Sequence, residues 1–162
     1  MIVLRTLKQL HQYVAGKKQI GKQIGFVPTM GFLHAGHVSL IHLCNHQADI
    51  TIASIYVNPS QFNDSNDFHK YPKDETKDLK LLKANFCDAV LIPTQAEIEK
   101  IKKVSVDLGQ LDKVMEGKFR PNHFQGVIEI VYRLFSVVLP DKAFFGEKDF
   151  QQLQVIKRMV EK

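Results

Sequence analysis

Two histidines three residues apart, His34 and His37, stand among Gly31 and Gly36 in the segment Pro28-Thr29-Met30-Gly31-Phe32-Leu33-His34-Ala35-Gly36-His37. The glycines let the backbone turn sharply and come close to a ligand. A helix read as opening at about His37 turns unpaired N–H groups and its positive dipole end toward that turn, which suits a phosphate. Both imidazoles can face one anion from the helix start, each donating a hydrogen bond, and a neighbouring triphosphate favours their charged form. The segment lacks the Gly-Lys-Ser/Thr ending of a P-loop and the glycine spacing of a dinucleotide fingerprint. His42 and His46 add the i, i+4 spacing of a metal clamp. No cysteine or carboxylate nearby completes a tetrahedral set, so they read as the polar face of the helix.

Two further clusters carry usable chemistry. In Gly146-Glu147-Lys148-Asp149-Phe150-Gln151-Gln152, Gly146 permits close approach and Lys148 supplies a charge for phosphate. Asp149 either caps the next helix or binds a ribose hydroxyl, and Gln152, one turn on, points into the same crevice. In Asn58-Pro59-Ser60-Gln61-Phe62, Asn58 and Gln61 are neutral groups that both donate and accept. They suit a substrate bearing hydroxyls or a carboxylate, or equally a stabilised turn.

Hydrophobic patterning gives the strands and helices that carry these residues. Thr6 reads as the N-cap of a helix with Leu7, Leu10 and Val14 on one face, stopped near Gly16. Ile24–Thr29 is a short apolar strand, followed by a turn over 30–36 and a helix from about His37 to Gln47. Asp49–Val57 is rich in β-branched residues and apolar almost throughout, the mark of a strand covered on both faces. Residues 60–72 read as a loop. A helix from about Asp74 to Asn85 puts Leu79, Leu82 and Phe86 inward, and Asp88–Ile92 is a third strand. Residues 94–122 are irregular, with a short strand expected over Lys103–Leu108 and a helical turn over Asp112–Glu116. His123–Val138 is a strong helix, its apolar residues recurring at three and four. Lys142–Phe145 makes a fourth strand, and a last helix carries Leu153, Ile156 and Val160. Strands alternating with helices predict a doubly wound parallel α/β sheet, whose ligands bind beyond the carboxyl ends of the strands.

The 162 residues amount to one domain, 1–162, and 44% hydrophobic with 24% charged residues exclude a disordered or collagen-like chain. No apolar run approaches the roughly 18–20 residues that cross a bilayer. The 22 Lys and Arg against 17 Asp and Glu leave +5, which fits anionic small molecules; Lys100, Lys102 and Lys103 are too few for a nucleic-acid arm. Cys44 and Cys87 lie in apolar surroundings and no secretory signal is read, so buried thiols in a reducing cytoplasm are expected.

PTMGFLHAGH, SIYVNPSQF, RPNHFQGV and FFGEKDFQQL, in that order and spacing, resemble the pantoate–β-alanine ligases, and the resemblance covers essentially the whole chain. It implies a Rossmann-like fold of the HxGH nucleotidyltransferase superfamily and an ATP-dependent condensation of pantoate with β-alanine through pantoyl adenylate. ATP comes with Mg²⁺, and the partners are these small substrates and a second copy in a homodimer. It implies that Met30, Gly31, Phe32, Leu33, His34, Ala35, Gly36 and His37 form the ATP loop, with His37 the proton donor. Gly146, Glu147, Lys148 and Asp149 form a second ATP segment, with Lys148 on the phosphates. Gln61 and Gln152 hold pantoate, with Asn58 beside them, and Val127, Ile130 and Val131 wall its gem-dimethyl group.

The chain departs from the resembled pattern at Gln125, where several members carry Arg, and at Lys77, which leaves Asp78 as the one carboxylate where some members help hold magnesium. The resemblance also implies a fifth strand, a Ser-Ser-Arg-Asn segment and a C-terminal domain beyond Lys162, so weak or absent ligase activity is expected of the 162 residues alone. A stand-alone nucleotidyltransferase would explain HxGH but not VNPSQF or GEKDFQQL, and a non-catalytic dimerising domain is the reading from another class.

Overall fold

The computed structural model describes residues 1–62 and 65–161. Five strands, β1 (Ile2–Leu4), β2 (Ile24–Thr29), β3 (Ile50–Ile55), β4 (Ala89–Leu91) and β5 (Lys142–Ala143), form one parallel sheet in the order β1-β4-β3-β2-β5. Side chains alternate across it, as strand geometry requires. Ile24, Phe26, Ile50, Ile52, Ala89 and Leu91 face one core, while Val27, Ala53 and Val90 face the other. Both faces are covered, which is why these strands read as unbroken apolar runs.

Helices α1 (Leu7–Gln19), α7 (His123–Val138) and α8 (Phe150–Val160) supply the first core, and α2 (Ala35–Gln47) and α4 (Glu75–Ala84) the second. The shorter α3 (Ser65–Lys70), α5 (Gln95–Glu99) and α6 (Met115–Phe119) lie in the connections. Strands β2 and β5 are neighbours, yet the helices that follow them, α2 and α8, pack on opposite faces. That reversal opens a crevice beyond their carboxyl ends. No helix among the described residues is long and apolar enough to cross a membrane.

Several expectations are corrected. The opening residues 2–4 pair with β4 as a strand, so the fold already has five strands by Ala143. Helix α1 continues through Gly16, which is exposed with open space around it, and Gly21 takes the left-handed position instead (φ +74°). Helix α2 opens at Ala35 rather than His37. The segment 60–72 holds the end of a 3-10 turn (Pro59–Gln61) and α3, though residues 63 and 64 of the expected loop, like Lys162 at the end of the domain, lie outside the described residues. Lys103–Leu108 forms no strand: Val106 and Leu108 are buried without pairing. The helix expected at Asp112–Glu116 begins at Met115. Strand β5 stops at Ala143. Phe86, expected inward, is 82% exposed, because its left-handed backbone (φ +60°) beyond the end of α4 swings it out. Val160, expected on the buried face of α8, is also exposed, and Val155, Ile156 and Met159 form that face.

Candidate functional site

The turn after β2 is built on strain and held by one carboxylate. Gly31 has φ +80°, and a β-carbon there would stand 2.9 Å from Asp78 Oδ2 and 3.0 Å from Ile55 Cγ2, so only glycine fits. Phe32 follows in the same left-handed region (φ +53°) although it carries a side chain. Asp78, in the first turn of α4 and 2% exposed, accepts the Phe32 N–H on Oδ2 at 2.8 Å and the Leu33 N–H on Oδ1 at 2.7 Å. Thr29 Oγ1 donates to Ser54 O and accepts from Gly31 N, tying the turn to β3. The sequence points to Asp78 only as a carboxylate near a metal; nothing local in it signals the grip on this loop.

The histidines lock together at the start of α2. His34 is the N-cap, its Nδ1 accepting from Gly36 N at 3.1 Å, and His37 Nδ1 accepts from His34 N at 3.3 Å. Their rings lie 4.2 Å apart, centroid to centroid. Since each Nδ1 meets an N–H, each neutral ring carries its proton on Nε2 as a donor. The expected open helix end is therefore partly closed, its Gly36 N–H taken by His34. His37 is held below the ordinary imidazole pKa, first by burial and then by His34, against a smaller upward pull from Asp78.

Gln61 divides two adjoining chambers. The first, of about 180 Å³, is lined by Thr29, Met30, His37, Tyr56, Gln61, Val127, Ile130, Val131, Leu134, Phe145, Asp149 and Gln152. The second, of about 170 Å³, is lined by Met30, Gln61, Phe62, Glu116, Arg120, His123, Phe124, Asp149 and Gln152. The first joins an aliphatic wall to His37, Gln152 and Asp149, and the second carries charges of both signs. His37, Gln61, Gln152, Val127, Ile130 and Val131 thus line one chamber.

Other expected residues take different places. Asn58 is absent from both linings: its Nδ2 donates to Gly126 O at 3.0 Å and its Oδ1 accepts from Ser60 Oγ at 3.0 Å, so it braces the turn that carries Gln61. Asp149 occupies the cap position of α8 but makes no capping hydrogen bond, leaving its carboxylate to line both chambers. Lys148 and Glu147 are exposed, and Gly146 is crowded by nothing within 4 Å. Gln125 donates to Val106 O rather than facing a chamber. Gln151 is buried and bonds Glu116 N, Leu111 O and Val114 O, holding the stretch that leads into α6. His42 Nε2 pairs with Asn85 Oδ1, and among the described residues no cluster of three metal-ligating side chains occurs.

Arg120 and His123 enter the sequence reading only as part of a motif. His123 Nδ1 donates to Gln61 O at 2.9 Å, and burial above all lowers its pKa, against an upward pull from the Gln61 carbonyl. Because His37 and His123 both bind a proton less readily folded than unfolded, their contribution to stability is complete above the ordinary imidazole pKa of about 6.5 and is lost as pH falls. The melting temperature is expected to drop between about pH 7 and pH 5, and to drop less in a His37→Asn, His123→Asn double variant. A rise on acidification would overturn this.

Gly126 sets how closely α7 approaches the Gln61 turn. A β-carbon there would lie 2.8 Å from Ser60 C and closer still to Ser60 O. Gly126→Ala is expected to cost about 1–3 kcal/mol by overpacking and to push Gln61 out of place. Urea denaturation and a crystal structure of the variant would check both; unchanged stability with Gln61 in place would refute it.

The family model described as pantoate-beta-alanine ligase matches residues 2–162. The pantothenate synthetases of Aquifex aeolicus and Carboxydothermus hydrogenoformans are 46% and 50% identical over 161 and 157 residues, which are 99% and 95% of this chain. The chain spans 57% and 55% of those relatives' lengths. The pantoate-beta-alanine ligase of Francisella tularensis, solved with beta-gamma ATP and beta-alanine, superposes at a TM-score of 0.92 with 38% identity, over 99% of this chain and 62% of its own. The pantothenate synthetase of Thermus thermophilus superposes at a TM-score of 0.91 with 40% identity, over 99% of this chain and 57% of its own. With a sheet, a crevice and a histidine turn of the kind the resemblance implied, and a family match from end to end, this chain belongs to the pantoate-beta-alanine ligase family.

Proposed function

We propose that the chain supplies the nucleotide- and pantoate-binding part of a ligase that joins pantoate to β-alanine at the expense of ATP. Pantoate carboxylate attacks the α-phosphate, giving pantoyl adenylate and pyrophosphate; the β-alanine amine then displaces AMP. The observation that carries this reading is the pair of chambers that share Met30, Gln61, Asp149 and Gln152, one adding His37 and an aliphatic wall and the other adding Glu116, Arg120 and His123. Val127, Ile130 and Val131 suit a gem-dimethyl group, and the two glutamines suit the hydroxyls and carboxylate of pantoate. In the second chamber Arg120 is ion-paired with Glu116 (Nη1 to Oε1, 2.6 Å) and offers its remaining N–H groups to a carboxylate, while Asp149, without an ion pair among the described residues, suits an ammonium. That is the charge pattern of an amino acid such as the β-alanine bound to the Francisella relative.

No protein nucleophile is needed, because ATP supplies the activation. The chain must hold two reactants in line and meet the charge on a five-coordinate phosphorus. His34 and His37 present Nε2–H donors on a turn fixed by Asp78, and Lys148, without an ion pair among the described residues, is available to phosphate. Met30 to His37 and Gly146 to Asp149 frame the nucleotide from β2 and β5. Magnesium belongs to this reading as the companion of ATP. The chain's residues do not fit a metal site of their own at Asp78, since each of its oxygens already accepts a main-chain N–H.

Exchange of labelled pyrophosphate into ATP tests the reading. Exchange that requires pantoate is expected. Exchange that requires phosphopantetheine instead would favour the stand-alone nucleotidyltransferase, and no exchange together with no binding of ATP or pantoate in calorimetry would leave a non-catalytic domain.

A further inference from the structure

We infer that His123 is the base of the amide-forming step, its Nε2 taking the proton that the attacking amine must lose. This rests on the ligase reading above. The geometry sets His123 apart from the other two histidines of the site. In His34 and His37, Nδ1 accepts a main-chain N–H, so Nε2 is a donor. In His123, Nδ1 lies 2.9 Å from the Gln61 carbonyl, which can only accept, so Nδ1 carries the proton and Nε2 the lone pair. The crevice thus holds one fixed donor, His37, and one fixed acceptor, His123, with His34 exposed on the turn beside His37.

The acceptor is available and well placed. His123 is 8% exposed, opens α7 and lines the polar chamber beside Gln61, Gln152 and Asp149. Its Nε2 has no hydrogen-bond partner among the described residues. The charged groups around the ring come from two elements: Arg120 and Glu116 at α6, and Asp149 at the start of α8. Burial and Arg120 keep the ring neutral between turnovers, while the Gln61 carbonyl, Glu116 and Asp149 support the imidazolium once it forms. Gln61 joins the two steps, its side chain lining both chambers and its main chain fixing the tautomer of the base.

In the amide-forming step the incoming ammonium first loses one proton to water. Its nitrogen adds to the acyl carbon of pantoyl adenylate, forming the C–N bond and placing a positive charge on nitrogen. His123 Nε2 takes a proton from that nitrogen, the carbon–oxygen bond to phosphate breaks, and the electron pair leaves on AMP. The imidazolium then returns its proton to water.

His123→Asn tests this, because the Asn amide can occupy the place of Nδ1 and keep the bond to Gln61 while offering no base. The full chain is given chemically prepared pantoyl adenylate and β-alanine in single turnover, and pantoate-dependent pyrophosphate exchange is measured in parallel. Aminolysis is expected to fall about 10²–10⁴-fold, at least tenfold further than exchange, and to lose its dependence on an ionisation in the imidazole range. With hydroxylamine, whose nitrogen once added to the acyl carbon is a stronger acid that water deprotonates more readily, the deficit is expected to shrink markedly. Equal losses in the two half-reactions, or an undiminished deficit with hydroxylamine, would mean that His123 only holds the Gln61 turn. Near-normal aminolysis by the variant would also overturn the proposal. If the unmodified chain binds neither ATP nor pantoate in calorimetry, the ligase reading itself fails and the role of His123 falls with it.

Discussion

His37→Asn is expected to slow pantoyl adenylate formation by about 10²–10³-fold while leaving the melting temperature close to that of the unmodified protein. The choice of Asn follows from the ring's two jobs. His37 Nδ1 accepts the His34 N–H, which fixes the start of α2, and Nε2–H is the group left to meet developing charge. The Asn side chain can keep an oxygen near the first position and has nothing at the second. Loss of one aimed donor of this kind removes roughly 2.7–4 kcal/mol of transition-state stabilisation, while losing a cap costs about 1 kcal/mol of stability. His37→Ala removes both, so the Ala and Asn variants should match in rate and differ in stability. Near-normal exchange with His37→Asn would remove His37 from the chemistry. Equal stability of the two variants would deny it the capping role.

The site was only partly legible in the sequence, and the boundary has a physical cause. The β2, β3 and β4 runs and α7 announce themselves because a strand buried on both faces must be apolar throughout and a core helix must repeat at three and four. Strand β1 is three residues long, and its pairing with β4 depends on contacts far away in sequence. Residues 104–108 alternate like a strand, but Val106 and Leu108 are buried singly against the core, so the alternation reports burial and not pairing. Among the residues lining the candidate site, His37, Gln61 and Gln152 could be found because each sits just beyond a strand end or one turn into the next helix. Asn58 has the same address, yet its amide is consumed by Gly126 and Ser60, which no local pattern records. The different tautomers of His37 and His123 are equally invisible there. Each is set by one main-chain partner, His34 N–H in one case and Gln61 carbonyl in the other.

Asp78→Ala is expected to destabilise the protein by about 2–5 kcal/mol and to loosen the turn after β2, although Asp78 lines neither chamber. The carboxylate reaches from α4 across to the turn, 45 residues away in sequence, and satisfies the Phe32 and Leu33 N–H groups together. The Leu33 bond is buried, and a buried donor left without an acceptor costs roughly 1–3 kcal/mol. Its removal also releases Phe32, whose left-handed backbone costs on the order of 1–2 kcal/mol that only the surrounding contacts sustain. Asp78→Asn keeps one acceptor oxygen and turns an NH₂ toward the other N–H, so it should fall between the unmodified protein and Asp78→Ala. Urea denaturation ranks the three, and hydrogen exchange at the Phe32 and Leu33 amides locates the effect. Faster exchange at those two amides, with protection of the β3 amides retained, is expected of a local clamp. A uniform loss of protection would mean that Asp78 supports the whole α4 face, and full stability in Asp78→Ala would mean that the turn holds itself. If the clamp is local, the rate of pantoate-dependent exchange should fall along the same series, because the two Nε2–H donors are only as well aimed as the turn that carries them.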